Sequence, residues 1–102
     1  MTNCVIIHVL IESFKDKETA KIWRREFSKR IPNQIQVIGY RKLVMIHRSR
    51  DLNDLRVPPG NRLEALSGNR SGQHSIRIND QWRICFRWNH GNVIDVEITD
   101  YH

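Results

Sequence analysis

Two arginines, Arg77 and Arg83, are the residues whose type and spacing first suggest chemistry. Each lies in a segment of alternating apolar and polar residues, which predicts two β-strands joined by a three-residue turn at 79–81. The register that pairs the apolar side chains also places Arg77 opposite Arg83. Like charges directly opposite destabilise a sheet by a few tenths to about 1 kcal/mol, and an anion between the two guanidinium groups would remove that conflict. Alternatively, the arginines diverge into water or reach Glu97.

A third arginine, Arg87, lies on the same face of the second strand but has a different interpretation. The alternation in the next hairpin predicts three facing pairs: Arg87 with Asp95, Cys85 with Glu97, and Arg83 with Thr99. The carboxylate opposite Arg87 predicts an ordinary surface ion pair for that residue. Arg77 and Arg83 therefore remain the candidates for binding an anion, and the residues alone leave this open.

Two helices precede these strands and must support them. Apolar residues recur at helical spacing over about 16–30, and Pro32 ends that first helix. A second helix is predicted over about 34–47. The residues expected to face inward are Ala20, Trp23, Phe27 and Ile31 in the first helix, and Ile35, Ile38, Leu43 and Ile46 in the second.

The remaining elements are predicted to be strands. An apolar segment at 4–11 forms the first strand, and a short strand spans 62–66 before three longer ones at 74–78, 81–88 and 93–99. Their inward residues are expected to be Ile76 and Ile78, then Trp82, Ile84, Phe86 and Trp88, then Ile94, Val96 and Ile98. The predicted class is α+β, with the N-terminal strand and the two helices packed on a small antiparallel sheet.

The net charge of +6 is unevenly distributed along the 102 residues. Residues 1–50 contain eleven Lys and Arg against four Asp and Glu, a net +7, whereas 51–102 contain six Arg against seven acids, a net −1. A basic first half favours binding to a polyanion, and arginine without lysine in the second half suits forked contacts to phosphate. Because basicity indicates nucleic acid only weakly, a basic protein without such a partner remains the alternative.

Other classes of function have little support in the sequence. The apolar segment at 4–11 is shorter than the roughly 18 residues that a membrane helix needs, and it lacks the basic start and cleavage site of a signal peptide. Cys4 and Cys85 form no spaced motif, and no two histidines are placed as a metal pair on a helix. We therefore expect a single-domain cytoplasmic protein with reduced thiols, without metal, cofactor or membrane contact.

Three stretches carry a close resemblance to a known family. They are LRVPPGNRLEALSGNR at 55–70, SIRINDQWRICFRW at 75–88 and DVEITDYH at 95–102. The stretch IESFKDK at 11–17 is similar to the usual start of the same family. On these motifs the chain resembles the HigB toxins of the wider RelE group over about residues 11–102. Residues 1–10 are an N-terminal extension relative to that family.

The resemblance implies a fold, a reaction and partners that spacing alone does not show. It implies a RelE-like α+β domain that enters the ribosomal A site, cuts mRNA there without metal and so inhibits translation. A HigA-type antitoxin with a helix-turn-helix would silence the toxin, and their complex would bind the operator DNA of its own operon. The expected reaction is cleavage of a phosphodiester by the neighbouring ribose 2′-hydroxyl.

The same resemblance assigns expected roles to single residues. Cations must stabilise the phosphoryl oxygens, and other groups must move protons at the 2′ and 5′ oxygens. By family position Arg83 stabilises the phosphate and Arg77 assists it. Tyr101 would stack on a base or orient the sugar, and His102 and Asp100 are candidates for proton transfer, although His102 without the family would be a frayed terminal residue. Contacts to RNA or ribosome are expected from Arg24, Arg25, Lys29, Arg62 and Arg70.

One loop departs from the family pattern. The family commonly has His-Pro-Leu-Lys-Gly-Asp where this chain has Glu64-Ala65-Leu66-Ser67-Gly68-Asn69. A carboxylate replaces an imidazole and a hydroxyl replaces an ammonium, which predicts either weaker catalysis or a site in which Glu64 accepts a proton. The alternative function is therefore a catalytically weak or inactive relative that acts as a module for binding antitoxin and ribosome.

Overall fold

A computed structural model describes residues 10–100, and its elements are two helices, five strands and three short 3-10 helices. The helices are α1 (Lys17–Trp23) and α2 (Asn33–Arg48). The strands are β1 (Leu10–Ile11), β2 (Glu64–Ala65), β3 (His74–Arg77), β4 (Trp82–Asn89) and β5 (Asn92–Asp100). The 3-10 helices span Leu52–Arg56, Pro59–Asn61 and Gly68–Arg70.

The strands form one sheet in the order β1-β5-β4-β3-β2. The predicted antiparallel meander of β2 to β5 is confirmed, and β1 adds to its edge in parallel with β5. The predicted α+β class is therefore confirmed. The part of the first strand predicted at 4–9 lies outside the described residues, as do Cys4, Tyr101 and His102.

The main hydrophobic core lies between α2 and one face of the sheet. Most of the residues predicted to face inward are buried there, and Ile76, Ile84 and Phe86 are completely inaccessible. The helix approaches the sheet closely at Gly39, where an added Cβ would lie 3.1 Å from Cδ1 of Ile98. Each fully buried side chain of this kind stabilises the fold by about 1.5–3 kcal/mol. The inner face of the meander is thus fixed by packing.

The first helix ends earlier than its apolar spacing predicts. α1 stops at Trp23 rather than near residue 30, and Arg25 adopts a left-handed conformation with φ of 63°. The amide of Glu26 donates to the carbonyl of Lys21 at 2.8 Å, which closes the helix end in the Schellman manner. The predicted length is wrong because these local bonds outweigh the apolar periodicity.

The turn after α1 is held by a side chain from α2. The carboxamide of Gln36 accepts from the amide of Ser28 at 3.1 Å and donates to the carbonyls of Ser28 and Ile31 at 2.8 and 2.6 Å. Ile31 is buried as predicted, but Phe27 is 64% exposed. The prediction of an inward Phe27 is therefore wrong, because this residue lies in a turn rather than on a helix face.

The strand pairing agrees with the predicted register except at one point of β5. The confirmed pairs are Ile76–Ile84, Arg77–Arg83, Cys85–Glu97 and Arg83–Thr99. Arg87, however, pairs with Ile94 because β5 contains a bulge, where Asp95 has φ of 55°.

The bulge reverses the alternation in the first part of β5. Val93 is completely buried where Ile94 was expected inward, so that prediction is wrong. The amide of Asp95 donates to Oγ of Ser13 at 2.9 Å, which gives the bulged backbone a partner outside the β4 ladder. The predicted ion pair survives, with Nε of Arg87 3.6 Å from Oδ2 of Asp95.

The imidazole of His74 makes the stability of the fold sensitive to pH. His74 stacks on Phe86 with ring centroids 6.4 Å apart, and its buried Nδ1 has no hydrogen-bond partner among the described residues. Burial, and then the charge of Arg56, lower the pKa of His74 below its ordinary value. The folded state therefore binds fewer protons than the unfolded state, so stability falls as pH drops below about 6.5.

We expect His74→Phe to stabilise the protein, and to do so more strongly at low pH. At about pH 7.5 the gain should be about 1 kcal/mol, because an unsatisfied buried nitrogen is removed. At about pH 5.5 the gain should be larger, because the unfolded wild type gains a proton that its folded state resists. Urea unfolding at both pH values measures this, and equal gains at the two would contradict the assignment.

Candidate functional site

The strand register places the candidate residues on the sheet face opposite the helices. Their neighbours along the strands, such as Ile76, Ile84 and Ile98, point into the helix-covered core, so the intervening residues point the other way. One row across that face consists of Glu64, Ser75, Cys85 and Glu97, and the next consists of Arg77, Arg83 and Thr99.

Arg83 is held in a fixed orientation by the protein. Its Nε donates to Oγ of Ser75 at 2.7 Å, and its Nη2 donates to the carbonyl of Arg62 at 2.7 Å. A third, longer bond joins Nη2 to the carbonyl of Ser75 at 3.4 Å. Its side chain remains 11% exposed, and Nη1 has no hydrogen bond within residues 10–100. The guanidinium is therefore preorganised, with its Nη1 edge available to an anion.

Arg77 turns away from Arg83 to a different partner. Its Nη2 contacts the carboxylate of Asp80, three residues on in the hairpin turn, and that carboxylate is 99% exposed. The two facing arginines thus contact different acceptors of the protein, and neither contacts Glu97 among the described residues. Because an ion pair this exposed is weak, an incoming phosphate could compete with Asp80 for Arg77.

Lys42 is a cation of this region that the sequence analysis did not select. It lies on α2, and its ammonium contacts Oδ1 of the fully buried Asn61. Burial, and then the charge of Arg77, lower the pKa of Lys42. The signal was present in the sequence, since Lys42 lies four residues from both Ile38 and Ile46 on the apolar stripe of the helix.

Lys42 and Arg83 are linked through two successive residues, Asn61 and Arg62. Nδ2 of Asn61 donates to the carbonyl of Leu55 at 3.0 Å, which fixes the amide so that Oδ1 faces Lys42. The next carbonyl, that of Arg62, accepts from Arg83. Two successive residues therefore position one cation from the helix layer and one from the sheet.

Glu64 lies beside the guanidinium of Arg83. Its Oε1 is 3.6 Å from Nη2 of Arg83, and its side chain is 51% exposed. Ser67 lies exposed at the start of the 3-10 helix at Gly68–Arg70, and no hydrogen bond joins it to Arg83 in the described chain. Of Glu64 and Ser67, which replace the imidazole and the ammonium of the family loop, Glu64 is therefore the one that lies beside Arg83.

The other sequence-predicted residues of this face are partly engaged with protein groups. Nη1 of Arg70 contacts Oε1 of Glu97 at 3.2 Å. Glu97, the alternative partner predicted for the facing arginines, is therefore paired with Arg70 instead. Asp100 ends β5, and its Oδ2 accepts from Nε2 of Gln81 at 2.8 Å. Tyr101 and His102 follow directly, outside the described residues.

Arg24, Arg25 and Lys29 lie in the turn after α1, because the helix predicted over about 16–30 ends at Trp23. All three side chains are exposed. Arg24 pairs with Glu26 at 2.9 Å, and the guanidinium carbon of Arg25 lies 4.9 Å from the ring centre of Tyr40. These residues are available for contacts, but they do not adjoin one another along a regular helix.

Alternative chemistries have no assembled groups in residues 10–100. Within that part of the chain no cluster of three or more His, Cys, Asp or Glu is placed to hold a metal ion. The Cys85 thiol is fully buried, and burial raises its pKa, which makes it a poor nucleophile. No helix among the described residues is long and apolar enough to cross a membrane.

Comparison with known proteins gives a consistent result. A family model described as the RelE-like toxin of type II toxin-antitoxin system HigB matches residues 12–102. The chain is 42% identical over 89 residues to Toxin HigB-1 of Vibrio cholerae, covering 86% of this chain and 94% of that protein. It is also 34% identical over 83 residues to an uncharacterized protein of Haemophilus influenzae, covering 80% and 82% respectively.

We expect Asn61→Ala to destabilise the protein by about 2–4 kcal/mol, because it leaves buried acceptors unsatisfied and opens space in the core. The exposed Asn53, whose Oδ1 accepts from Nε of Arg56 at 3.0 Å, provides a matched control. Asn53→Ala should cost less than about 1 kcal/mol. Urea unfolding of both variants measures the difference. Similar losses would show that Asn61 does not join the two layers.

Proposed function

Because this chain belongs to the HigB-like toxins, which are RelE-like toxins of type II toxin-antitoxin systems, we propose that it is a ribosome-dependent mRNA endonuclease. RelE-like toxins are generally endoribonucleases, and a toxin of this type implies an antitoxin partner. The observation that carries the proposal is the preorganised guanidinium of Arg83, whose three bonds to protein acceptors leave its Nη1 edge for a phosphate.

The proposed reaction is attack by the ribose 2′-oxygen on the adjacent phosphorus. The 2′-hydroxyl gives its proton to a general base as its oxygen bonds to phosphorus, the bond from phosphorus to the 5′-oxygen breaks, and the 5′-oxygen leaves with a proton from a general acid. Charge on the phosphoryl oxygens is then met by Arg83, assisted by Arg77. A preorganised donor such as Arg83 contributes about 3–4 kcal/mol to the stabilisation of a transition state.

Proton transfer is proposed for the end of the chain. Asp100 lies at the end of β5, two positions along the chain from His102 and next to Tyr101. Histidine is the side chain type suited to proton transfer at neutral pH, so His102 is proposed to act at the 2′ or 5′ oxygen. Tyr101 would stack on a base or orient the sugar. These roles rest on the family motif and on the position of Asp100.

The proposed partners follow from the same family and from the charge. Exposed Arg24, Arg25, Lys29 and Arg62 would contact ribosomal RNA, and Arg70 would do so where it is not engaged by Glu97. A HigA-type antitoxin with a helix-turn-helix would silence the toxin and carry it to operator DNA. A toxin that acts on translating ribosomes would act in the cytoplasm.

The ion pair of Glu64 with Arg83 favours a second candidate function. A carboxylate 3.6 Å from the guanidinium repels a phosphate and competes for the same donor. The chain would then be a weak or inactive relative that still binds antitoxin and ribosome. The alternative role of Glu64 as a proton acceptor would keep the chain active, so the effect of replacing Glu64 distinguishes the two.

The proposed activity predicts cleavage on ribosomes and a strict dependence on Arg83. The purified protein should cut mRNA on translating ribosomes and barely cut naked mRNA. Arg83→Ala should reduce cleavage by about 100-fold or more, whereas Arg87→Ala should leave it largely intact, since Arg87 is paired to Asp95 at the surface. Mapping of new 5′ ends measures both. Equal cleavage of naked mRNA, or loss of activity in Arg87→Ala alone, would refute the proposal.

Lys42 and Glu64 should affect the rate in opposite directions. Lys42→Gln should slow single-turnover cleavage by about tenfold or more, because it removes the cation that contacts Asn61, the residue before the carbonyl that positions Arg83. Arg41→Gln is the matched control, because it removes the same charge from the preceding residue of α2, which is exposed. It should leave the rate unchanged. Glu64→Gln should raise the rate by relieving repulsion. A fall in the rate of Glu64→Gln would instead make Glu64 the proton acceptor.

A further inference from the structure

A groove lies between the turn after α1 and the first half of α2, on the helix layer of the molecule. It has a volume of about 490 Å³, within the range of roughly 300–1,000 Å³ that is common for binding sites. Two of its apolar lining residues, Phe27 and Val37, are 64% and 57% exposed. Adjoining exposed apolar side chains of this size commonly mark a contact with a partner.

The groove is a built feature rather than a loose loop. The left-handed Arg25 ends α1, and Gln36 holds the backbone on the far side of Phe27 through its three bonds to Ser28 and Ile31. The hydrogen bonds of Gln36 to the backbone on this side of the turn therefore keep Phe27 outside the core. A continuous helix through this region would have turned Phe27 inward and closed the groove.

The groove has a net positive charge, because its acidic residue is paired with an arginine of the same turn. Glu26 lines the groove, but both of its oxygens accept from Arg24, at 2.9 and 3.2 Å. Arg25 lies over Tyr40, and neither Arg25 nor Arg41 has a carboxylate partner among residues 10–100. The groove thus presents an apolar floor with two arginines at its rim, which complements a ligand that is apolar on one side and acidic beside it.

We propose that this groove, formed by Phe27, Val37 and Tyr40 between Arg25 and Arg41, is the docking site for an acidic amphipathic helix of the antitoxin. The inference rests on the proposed function, which supplies the partner. A helix can insert two apolar side chains one turn apart and place carboxylates beside the arginines. A second copy of this chain is disfavoured by its net charge of +6, and RNA would leave the aliphatic Val37 without a suitable contact.

The test uses a synthetic helical peptide of about 18 residues, long enough to form a helix in isolation. It carries leucines one turn apart on one face and glutamates beside them, and a second peptide has lysines in place of the glutamates. The glutamate peptide should bind the full chain, should shift amide signals around the groove and should change the fluorescence of Trp23, which lies 6.0 Å from Tyr40. The lysine peptide should not bind.

Matched variants separate a local contact from general attraction. Arg41→Glu should weaken the glutamate peptide by about tenfold or more, whereas Arg48→Glu, the same charge change at an exposed site on the same helix, should weaken it far less. Val37→Ser should also weaken binding, whereas Val57→Ser, at a 71% exposed valine outside the groove, should not. Circular dichroism confirms that each variant is folded.

Several outcomes would overturn the proposal. Equal effects of Arg41→Glu and Arg48→Glu would reduce the attraction to net charge. Binding of an oligouridylate probe that depends on Arg41 but not on Val37 would assign the groove to RNA. Self-association in the ultracentrifuge that Val37→Ser abolishes, without binding of the peptide, would assign it to a second copy. None of these results depends on cleavage of mRNA, so they are independent of the outcome for the proposed endonuclease.

Discussion

A buried polar group must find hydrogen-bond partners, and in this protein the buried amide of Asn61 organises the candidate site around that requirement. Its donors are satisfied by the carbonyls that precede it, which leaves its oxygen for Lys42 of α2. The next carbonyl, of Arg62, then receives Arg83 from β4. Asn61 therefore positions Lys42 in the helix layer and, through the carbonyl of the next residue, Arg83 in the sheet. The position of Arg83 on the outer face thus depends on packing in the interior.

Hydrogen bonds to separate partners also explain why two facing arginines are tolerated. Arg77 and Arg83 are opposite one another in the sheet, yet each guanidinium has its own acceptors, and the carboxylates near them, Asp80 and Glu64, are largely exposed. These carboxylates balance part of the charge of the two arginines, and ion pairs at the surface add little to the stability of the fold. A phosphate bound as proposed would displace the exposed Asp80 from Arg77 at small cost and would compete with Glu64 for Arg83, whereas the bonds from Arg83 to Ser75 and Arg62 need not break.

The parts of the fold that follow from alternation could be predicted, and those set by single local bonds could not. The facing of Arg77 and Arg83 follows from period two in strands whose inner side is buried. The early end of α1 and the bulge at Asp95 depend on left-handed residues that are not glycine, which a pattern of apolar residues does not reveal. The contact of Lys42 was not predicted, because a lysine on the apolar stripe of a helix commonly extends its charge into solvent. Here the ammonium contacts the buried Asn61 instead.

The two candidate surfaces lie on opposite layers, and this has a consequence for how the toxin would be silenced. Arg83 opens onto the sheet face away from the helices, whereas the groove of Phe27 and Val37 lies on the helix layer. An antitoxin helix seated in the groove would not itself cover the guanidinium, but it would cover Arg25, one of the cations proposed to contact ribosomal RNA. Silencing would then act by preventing access to the ribosome rather than by blocking the reacting phosphate. A toxin whose site needs the ribosome to cut can be controlled in this way without any contact to Arg83.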